Sequence, residues 1–275
     1  MISRTICGGI LIVGMLTAIA LAMDYIHPEL LAETDWLAQN LTDATVRIID
    51  MRSPEAYRKG HLPGAMNLRW QTLKAADNEV YVIPPEKFAS LMSQLGISQH
   101  TTVVGYDDQG GLSAAKLWWV LDYYGHSQAK VLNGGWNKWL KERKPVTTVV
   151  PTSTPAQFNV QRQARQICLM EELLESLSGS NVAIVDGRSP AEFRGLDVRA
   201  KRGGHIPGSV NIDWIRNVTS NDPHTFKPAD ELRKMYEAAG ITQDKEIIVY
   251  CQAGVRGRAH AIHAHVFRVY STTQL

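Results

Sequence analysis

Cysteine and runs of like charge are both scarce in this chain. Only 3 of its 275 residues are cysteine, and 29 Lys and Arg nearly balance 27 Asp and Glu, for a net charge of +2. Two thiols in the body of the chain, Cys168 and Cys251, cannot make the disulfide framework of a small secreted domain, although a single bridge between them stays open. The absence of a polybasic or acidic tract argues against a nucleic-acid partner and against a charged disordered segment.

The main apolar run lies at the N-terminus, where Arg4 precedes the 17 residues 6–22. That run is shorter than the roughly 20 residues that span a bilayer, and it ends in Ala20-Leu21-Ala22, a small-x-small cleavage pattern. We therefore expect residues 1–22 to be a cleaved signal peptide and the protein to be exported, to the periplasm in a bacterium with two membranes. An uncleaved N-terminal anchor is the alternative, and only that form would make the membrane a partner.

An internal repeat organises the rest of the chain. Val46–Pro54 recurs as Val182–Pro190 at a spacing of 136 residues, and Gly60–Asn67 recurs as Gly204–Asn211 at a spacing of 144. The change of spacing indicates two copies of one domain with eight extra residues inside the second. The expected divisions are a first copy at 24–144, a linker at 145–160 and a second copy at 161–275.

Each copy alternates short apolar, β-branched runs with helical stretches such as 85–95 and 229–239. This alternation predicts an α/β fold, with a parallel sheet flanked by helices in each copy. Ligands of such sheets bind beyond the carboxyl ends of the strands. Asp186 and Cys251 both follow apolar runs and are expected at that edge.

Cys251 is the candidate nucleophile. It ends an apolar run and precedes the loop Gln252-Ala253-Gly254-Val255-Arg256. The N–H groups of a tight loop and the N-terminal end of a following helix favour an anion, so a thiol placed there ionises readily. The alternative is a small buried hydrophobe, the usual fate of a lone cysteine.

Several motifs together resemble the tandem-domain rhodaneses, a family that includes thiosulfate and 3-mercaptopyruvate sulfurtransferases. They are Asp-x-Arg-Ser-Pro and Gly-His-x-Pro-Gly in both copies, Leu132-Asn133-Gly134-Gly135-Trp136 in the first, and Tyr250–Arg256 in the second. The resemblance covers nearly all of the chain after residue 22. It implies two rhodanese-like domains and a thiosulfate sulfurtransferase type of enzyme.

The expected chemistry needs no metal or cofactor. An ionised Cys251 attacks the outer sulfur of a small anionic donor, thiosulfate or 3-mercaptopyruvate, and becomes a persulfide that a thiophilic acceptor removes. Loop N–H groups would hold the persulfide charge. The loop residues expected at this site are Gln252, Ala253, Gly254, Val255 and Arg256.

Three arginines are candidates for gripping the anionic donor, because a guanidinium binds oxyanions with two hydrogen bonds. Arg256 lies in the cysteine loop, and the resemblance implies substrate contacts for Arg188 and Arg194. Surface or interdomain ion pairing is the alternative for Arg188 and Arg194. The first copy has Asp107 at the position of Cys251; a carboxylate cannot carry a sulfane sulfur, so the first copy is expected to be non-catalytic.

Two other functions stay open. One is a sulfur-binding or redox-sensing module with little turnover. The other is a cysteine-dependent phosphatase or arsenate reductase, whose loops have one residue more between Cys and Arg than the four found here. His260, His263 and His265 do not share one helical face, so we interpret them as helix-surface and interdomain residues and not as a metal site.

The C-terminus differs between the copies. Only 24 residues follow Cys251, whereas the first copy continues from Asp107 through Ala129–Trp136 and a helix to Lys144. The tail Val266–Leu275 does not match the expected pattern. We expect the second copy to lack a strand, turn and helix and to be less stable as a result. Because the duplication already supplies a domain pair, we expect a monomer.

Overall fold

The structure, a computed structural model, describes residues 25, 27–75, 82–177, 179, 181–252, 255–257, 260 and 267–271, the last range by its backbone alone. Within these residues no helix is both long enough and apolar enough to cross a membrane. The predicted signal segment 1–22, His263 and His265 lie outside the described residues.

The first copy is built on five parallel strands in the order β1-β5-β4-β2-β3. Its helices are α1 to α5, and short 3-10 turns at Pro28–Leu30 and Trp70–Leu73 complete it. In chain order the elements are β1 (Leu31–Ala32), α1 (Thr34–Gln39), β2 (Val46–Asp50), α2 (Pro54–Lys59), β3 (Ala65–Asn67), α3 (Pro85–Gln94), β4 (Thr102–Tyr106), α4 (Leu112–Tyr123), β5 (Ala129–Leu132) and α5 (Gly135–Lys141).

The second copy is built on four parallel strands in the order β7-β6-β8-β9. Its 3-10 turns are Ala164–Gln166 and Trp214–Asn217. The remaining elements are α6 (Met170–Ser176), β6 (Val182–Asp186), α7 (Pro190–Phe193), β7 (Val210–Asn211), α8 (Ala229–Ala238), β8 (Glu246–Cys251) and β9 (Phe267–Ser271). Two parallel sheets with helices confirm the predicted α/β fold class.

The two sheets share one register. Asp50 pairs with Tyr106 between β2 and β4, and Asp186 pairs with Tyr250 between β6 and β8. Strand β9 then pairs with β8, with Ile247 opposite Phe267 and Cys251 opposite Ser271. It stands where β5 stands in the first copy.

The prediction that the second copy lacks this strand was therefore wrong. The tail does not match the sequence of Ala129–Trp136, but Phe-Arg-Val-Tyr-Ser is an aromatic and β-branched run of the kind that fits a pleated strand. With β9 in place, β8 is a central strand. Cys251 thus ends a strand with hydrogen-bonded neighbours on both sides.

The core of the first copy lies on both faces of its sheet. One face holds Phe88, Met92 and Trp119, and the other holds Leu37 and Trp139, all nearly inaccessible to solvent. The second copy has a corresponding pair of clusters, one around Leu232 and Tyr236 and one around Leu173 and Tyr250. Strands buried on both faces explain why β2, β4, β6 and β8 read as nearly continuous apolar runs.

The linker follows an extended path along the first copy. Thr147 exchanges backbone hydrogen bonds with His61, Ala156 donates to the Ser93 carbonyl, and Gln161 donates to the Tyr124 carbonyl. Phe158 is 6% exposed and joins the first core. Backbone pairing and one buried ring therefore fix a segment that has neither helix nor strand over most of its length.

Candidate active site

Two neighbouring parallel strands bring the candidate site together. Strand β8 ends at Cys251 and strand β6 ends at Asp186, and the Gly187 N–H donates to the Tyr250 carbonyl at 2.9 Å. The Cys251 side chain is 1% exposed. The site thus lies where sequence reasoning placed it, at the carboxyl edge of the second sheet.

The two described cysteines are not bridged. Cys168 and Cys251 are both buried and neither forms a disulfide. Cys168 belongs to the apolar cluster with Leu173 and Tyr250. Of the two thiols, only Cys251 ends a strand at a loop that faces the candidate site.

The first copy shows what this loop geometry does to an anion. The Asp107 carboxylate, at the position equivalent to Cys251, accepts four backbone hydrogen bonds: from Gln109 at 2.9 Å, Gly111 at 2.9 Å, Ser113 at 2.6 Å and Ala114 at 2.9 Å. Complete burial raises the pKa of Asp107, and the four N–H groups oppose that shift. The loop is a nest of N–H groups around one buried acceptor.

By the 144-residue spacing, the four donors correspond to positions 253, 255, 257 and 258. Of these, Val255 and Gly257 are described: Val255 is a partly exposed bend and Gly257 is buried against Val249. The predicted loop residues Ala253 and Gly254 lie outside the described residues. The second loop begins at the equivalent strand end.

Arg256 is held in the site by a buried carboxylate. Its guanidinium donates to both Glu192 oxygens, at 2.5 and 2.9 Å, and the Glu192 side chain is 1% exposed. Burial alone would raise the pKa of Glu192, but Arg256 outweighs it and holds that pKa at about 2. Burial likewise opposes the charge of Arg256, whereas Glu192 and the nearby Cys251 favour it and raise the pKa of Arg256.

Glu192 is a residue that sequence reasoning missed. It occupies the third position of α7, and with Ser189 it forms a capping box: the Ser189 hydroxyl accepts from the Glu192 N–H, and Glu192 accepts from the Ser189 N–H. The pattern Ser-x-x-Glu ahead of a helix is a recognisable signal. It predicts the cap, although not that the same carboxylate also reaches Arg256, 64 residues later.

Arg188 has a structural role that the substrate-binding prediction did not anticipate. Its guanidinium donates to Asp186 at 2.7–3.1 Å and to the Gly204 carbonyl at 2.7 Å. Arg52 makes the same bonds to Asp50 and Gly60 in the copy that has no cysteine. Because the arrangement occurs without the nucleophile, it braces the turn after the strand, and a substrate contact for Arg188 stays a prediction.

Arg194 is exposed at the end of α7 and, within the described part of the chain, forms no ion pair. The insertion that follows it approaches the site instead. The Gln252 amide donates to the Arg199 carbonyl at 2.8 Å. The Arg199 guanidinium pairs with Asp197 at 2.7 Å, and its charge is also attracted by Glu192 and repelled by Arg256. Arg199 is a second missed residue; the signal for it was the eight-residue insertion itself, which falls beside the strand end.

His260 differs from its predicted surface position. It is fully buried, its Nδ1 lies 2.5 Å from the Tyr236 hydroxyl, and its Nε2 would lie 3.1 Å from a Cβ at Gly187. The His260 ring lies against Gly187 in the loop after β6, a contact that the spacing of the histidines does not indicate. In the described ranges, no group of three or more His, Cys, Asp or Glu side chains is arranged to hold a metal ion.

Comparisons with known proteins agree with this geometry. Residues 33–142 and 169–272 each match the rhodanese-like domain. The sulfur carrier protein TtuD of Thermus thermophilus is 40% identical over 248 residues, 85% of this chain and 86% of that protein. A thiosulfate sulfurtransferase of Corynebacterium glutamicum is 35% identical over 245 residues, 85% and 80% of the two chains. The structure of the 3-mercaptopyruvate sulfotransferase SseA from Escherichia coli is similar at a TM-score of 0.78 and 27% identity, covering 88% of this chain and 97% of that one.

Proposed function

This chain belongs to the rhodanese-like domain family and carries two copies of the domain, and from that premise we propose that it is a sulfurtransferase of the thiosulfate sulfurtransferase type. It moves a sulfane sulfur from thiosulfate or 3-mercaptopyruvate to a thiophilic acceptor such as cyanide or a thiol. The observation that carries the proposal is Cys251 at the end of β8, beside Arg256, in a loop whose counterpart surrounds an anion with four N–H groups.

The reaction takes two steps. The Cys251 thiolate attacks the outer sulfur of thiosulfate; the S–S bond to the sulfonate sulfur breaks and sulfite leaves with the bonding electron pair. Cyanide then attacks the outer sulfur of the persulfide, thiocyanate leaves, and the thiolate is restored. One sulfur atom is transferred and no external oxidant or reductant is consumed.

Electrostatics explain why the persulfide persists at this position. Loop N–H groups aimed at a buried acceptor stabilise an anion without reorganising during the reaction. Arg256 adds a positive charge near the sulfur, and Glu192 fixes the direction of that guanidinium. By their correspondence to the donors around Asp107, the N–H groups of Ala253 and Val255 are proposed to face the sulfur, with Gly254 between them allowing a close approach of the backbone.

The test measures thiocyanate formed from cyanide with either donor, comparing the chain with Cys251→Ser. We expect the serine variant to lose activity while keeping its circular dichroism spectrum, and Cys168→Ser to keep activity. Mass spectrometry after thiosulfate treatment should show one added sulfur atom only where Cys251 is intact. Full activity in Cys251→Ser would reject the proposal.

A second candidate function is sulfur carriage, favoured by the 40% identity to a protein named as a sulfur carrier. In that case Cys251 takes up sulfur readily but releases it slowly to small acceptors. The mass and turnover measurements separate the two: a persulfide that forms quickly while thiocyanate forms slowly identifies a carrier.

We further propose that residues 1–22 direct export and are then removed, and that the mature protein is a monomer. The support is the apolar run ending in Ala20-Leu21-Ala22 and the domain pair within one chain. Intact mass of the protein from the periplasmic fraction of a bacterial host tests cleavage, and sedimentation equilibrium tests the assembly. Recovery of the full-length mass in the membrane fraction would favour an anchor.

A further inference from the structure

A hydrogen-bonded polar network is buried in the core of the second copy. The Tyr236 hydroxyl donates to the Asn217 Oδ1 at 2.8 Å, and the same hydroxyl lies 2.5 Å from the His260 Nδ1. Asn217 and His260 are 0% exposed, and Tyr236 is 4% exposed. We call these three residues the polar triad. Neither step of the proposed reaction uses them.

The first copy has an apolar core at the equivalent positions. By the 144-residue spacing, Leu73 and Met92 stand where the second copy has Asn217 and Tyr236. Both are 0% exposed and belong to one apolar cluster. The fold therefore packs with hydrocarbon side chains there, whereas buried polar groups cost free energy unless all of them are satisfied. Only the copy with the thiol has the polar side chains, which indicates a role besides packing.

The hydrogen bonds of the polar triad fix where its protons lie. The Asn217 amide nitrogen donates to the Trp214 carbonyl at 2.9 Å, so the amide oxygen faces Tyr236 as an acceptor. Burial raises the pKa of Tyr236, so its hydroxyl keeps the proton that it donates to Asn217. The Tyr236 oxygen is then the acceptor for the His260 Nδ1–H. Neutral His260 is therefore the Nδ1–H tautomer, with its lone pair on Nε2.

The other edge of the His260 ring lies against the backbone beside the thiol. A Cβ at Gly187 would lie 3.1 Å from the His260 Nε2 and 3.5 Å from the Gly257 Cα, so these three residues meet at one point. The Gly187 N–H donates to the carbonyl of Tyr250, the residue before Cys251. The imidazole thus packs between two loops that both follow the carboxyl ends of strands.

The first copy has a side chain at the position of this glycine. Met51 is the counterpart of Gly187, and the two N–H groups donate to equivalent tyrosine carbonyls at 2.8 and 2.9 Å. Met51 is 3% exposed and packs in the same cluster as Leu73 and Met92. Because the backbone bond is the same in both copies, glycine at position 187 leaves room that the His260 ring occupies.

Gly257 connects the polar triad to the sulfur. Its counterpart Ser113 makes the shortest of the four N–H bonds to the Asp107 carboxylate, at 2.6 Å. Gly257 is buried, and a Cβ there would lie 3.0 Å from Val249 of β8. It is held between the strand that carries the thiol and the imidazole ring. Displacement of the ring would leave the Gly257 N–H without support on that side.

Charged groups surround the thiol and the polar triad, and the substitutions below change none of them. Arg256 faces Cys251, and Glu192 and Asp213 face Arg256 in turn. The charged residues of this region are Arg256, Glu192, Asp213, Asp186, Arg188 and Arg216. A change in the thiol of a triad variant therefore reports on the triad.

We propose that the polar triad positions the loop that stabilises the Cys251 thiolate. Asn217 orients Tyr236, and Tyr236 holds the His260 ring in one orientation. The ring supports Gly257, whose N–H faces the sulfur. An N–H group fixed in this way stabilises the thiolate and the persulfide without reorganising during the reaction. The inference rests on the sulfur-transfer function proposed above and adds positioning residues to it.

The experiment measures the rate at which iodoacetamide alkylates Cys251 in the full chain as a function of pH, followed on the Cys251 peptide by mass spectrometry. Only the thiolate reacts, so the midpoint of the profile gives the pKa of the thiol. We expect Tyr236→Phe and His260→Leu to raise that midpoint by about one unit, which slows alkylation about tenfold below it. In the cyanide assay kcat should fall by about tenfold or more, with little change in KM.

Tyr124→Phe is the matched control. It removes a buried hydroxyl group of the first copy that donates to the Ile83 carbonyl. It should lower the melting temperature about as much as Tyr236→Phe does, since each variant loses one buried hydrogen bond, and leave the alkylation profile unchanged. Asn217→Leu combined with Tyr236→Met introduces the first copy's residues and should raise the midpoint equally; it replaces a single variant that fails to fold.

Two results overturn the proposal. One is an unchanged alkylation profile in folded Tyr236→Phe and His260→Leu, which would make the polar triad a part of the core alone. The other is an equal shift in Tyr124→Phe, because the shift would then follow stability. If the unchanged chain forms no thiocyanate while its alkylation profile still responds to the triad variants, the proposed function fails and the positioning role stands.

Discussion

Asp107 and Cys251 occupy equivalent positions beside the two strands β2 and β6. Asp107 and Cys251 end equivalent strands, and the carboxylate of Asp107 fills a nest of four backbone N–H groups. The Asp107 carboxylate completes this nest as part of the fold. We expect an equivalent nest around the Cys251 thiol to be completed only when the sulfur ionises or acquires a second sulfur, so that the loop favours the reactive states of Cys251.

Glu192 is predicted to be a positioning residue for Arg256. In Glu192→Gln the neutral amide cannot match the two-pronged, charged pairing with the guanidinium. We expect a loss of about 1–3 kcal/mol in the free energy of unfolding, because a buried polar pair is broken, and a fall in kcat larger than the change in KM. Chemical denaturation and steady-state kinetics measure the two effects. The control is Glu55→Gln, which alters an exposed pair with Arg58 and should shift stability by less than about 0.5 kcal/mol.

The same carboxylate makes stability depend on pH. The pKa of Glu192 is lowered from 4.5 to about 2 in the folded protein, so the unfolded chain binds its proton first as the pH falls. Its contribution to stability is complete above about pH 4.5 and declines between there and pH 2. Denaturation at several pH values should show a shallower decline for Glu192→Gln than for the unchanged chain. Parallel curves would contradict the pairing with Arg256.

The sequence identified the reactive residue, Cys251, but not the residues that hold Arg256 and Gln252 beside it. Cys251 was predicted from a strand, a thiol and a glycine loop in sequence, all of which are local. Glu192 and Arg199 lie 59 and 52 positions before Cys251. Nothing local indicates that Glu192 pairs with Arg256 or that the Arg199 carbonyl accepts from Gln252. For Arg188 the resemblance implied a substrate contact. The Asp-x-Arg pattern, repeated in both copies, was the local signal for its hydrogen bonds to Asp186.

The eight-residue insertion is an element that only the second copy has. It places Arg199 beside the Glu192 and Arg256 pair and joins it to Gln252. An exposed cation at the rim attracts an anionic donor without taking part in bond making. We predict that Arg199→Ala raises KM for thiosulfate by about three- to tenfold with kcat nearly unchanged.

Arg194→Ala is the matched control for that prediction. Both arginines are exposed and close in sequence. The Arg199 charge interacts with Glu192 and Arg256 besides its ion pair with Asp197, whereas Arg194 forms no ion pair within the described part of the chain. We expect Arg194→Ala to change KM less than Arg199→Ala does. If the effect of Arg199→Ala on KM also decreases as salt is added, the insertion steers the anionic donor electrostatically. If only Arg194→Ala changes KM, Arg194 contacts the substrate as the resemblance implies, and Arg199 has no role in the site.

Strands were predicted well where both copies of the repeat carry the same sequence pattern. Strands β2 and β6 were recognisable because Val46–Pro54 and Val182–Pro190 carry the same pattern. Strand β9 was missed because its sequence differs from that of β5. Periodicity cannot distinguish a short buried strand from part of a helix; pairing with β8 decides it.

The two copies are joined by the segment that follows β7. Val218 and Phe226 form one apolar cluster with Val131 and Ala114 of the first copy. The Phe226 N–H donates to the Asn133 side chain at 2.9 Å, and Gly111 lies against the Phe226 ring. The second copy therefore covers the loop of Asp107 and leaves substrate no access to it. The Asp107 carboxylate occupies the N–H groups of that loop instead.

Phe226→Ala tests whether this cluster makes the molecule one cooperative unit. Phe226 is 4% exposed, and removing its ring should cost about 3–4 kcal/mol through lost burial and the cavity left behind. Because the loss falls between the copies, calorimetry should show one thermal transition in the unchanged chain separating into two. Phe158→Ala removes an equal ring, 6% exposed, from the core of the first copy; it should lower stability without weakening the contact between copies. If Phe226→Ala keeps a single transition displaced by no more than that of Phe158→Ala, the copies are coupled by something other than this cluster.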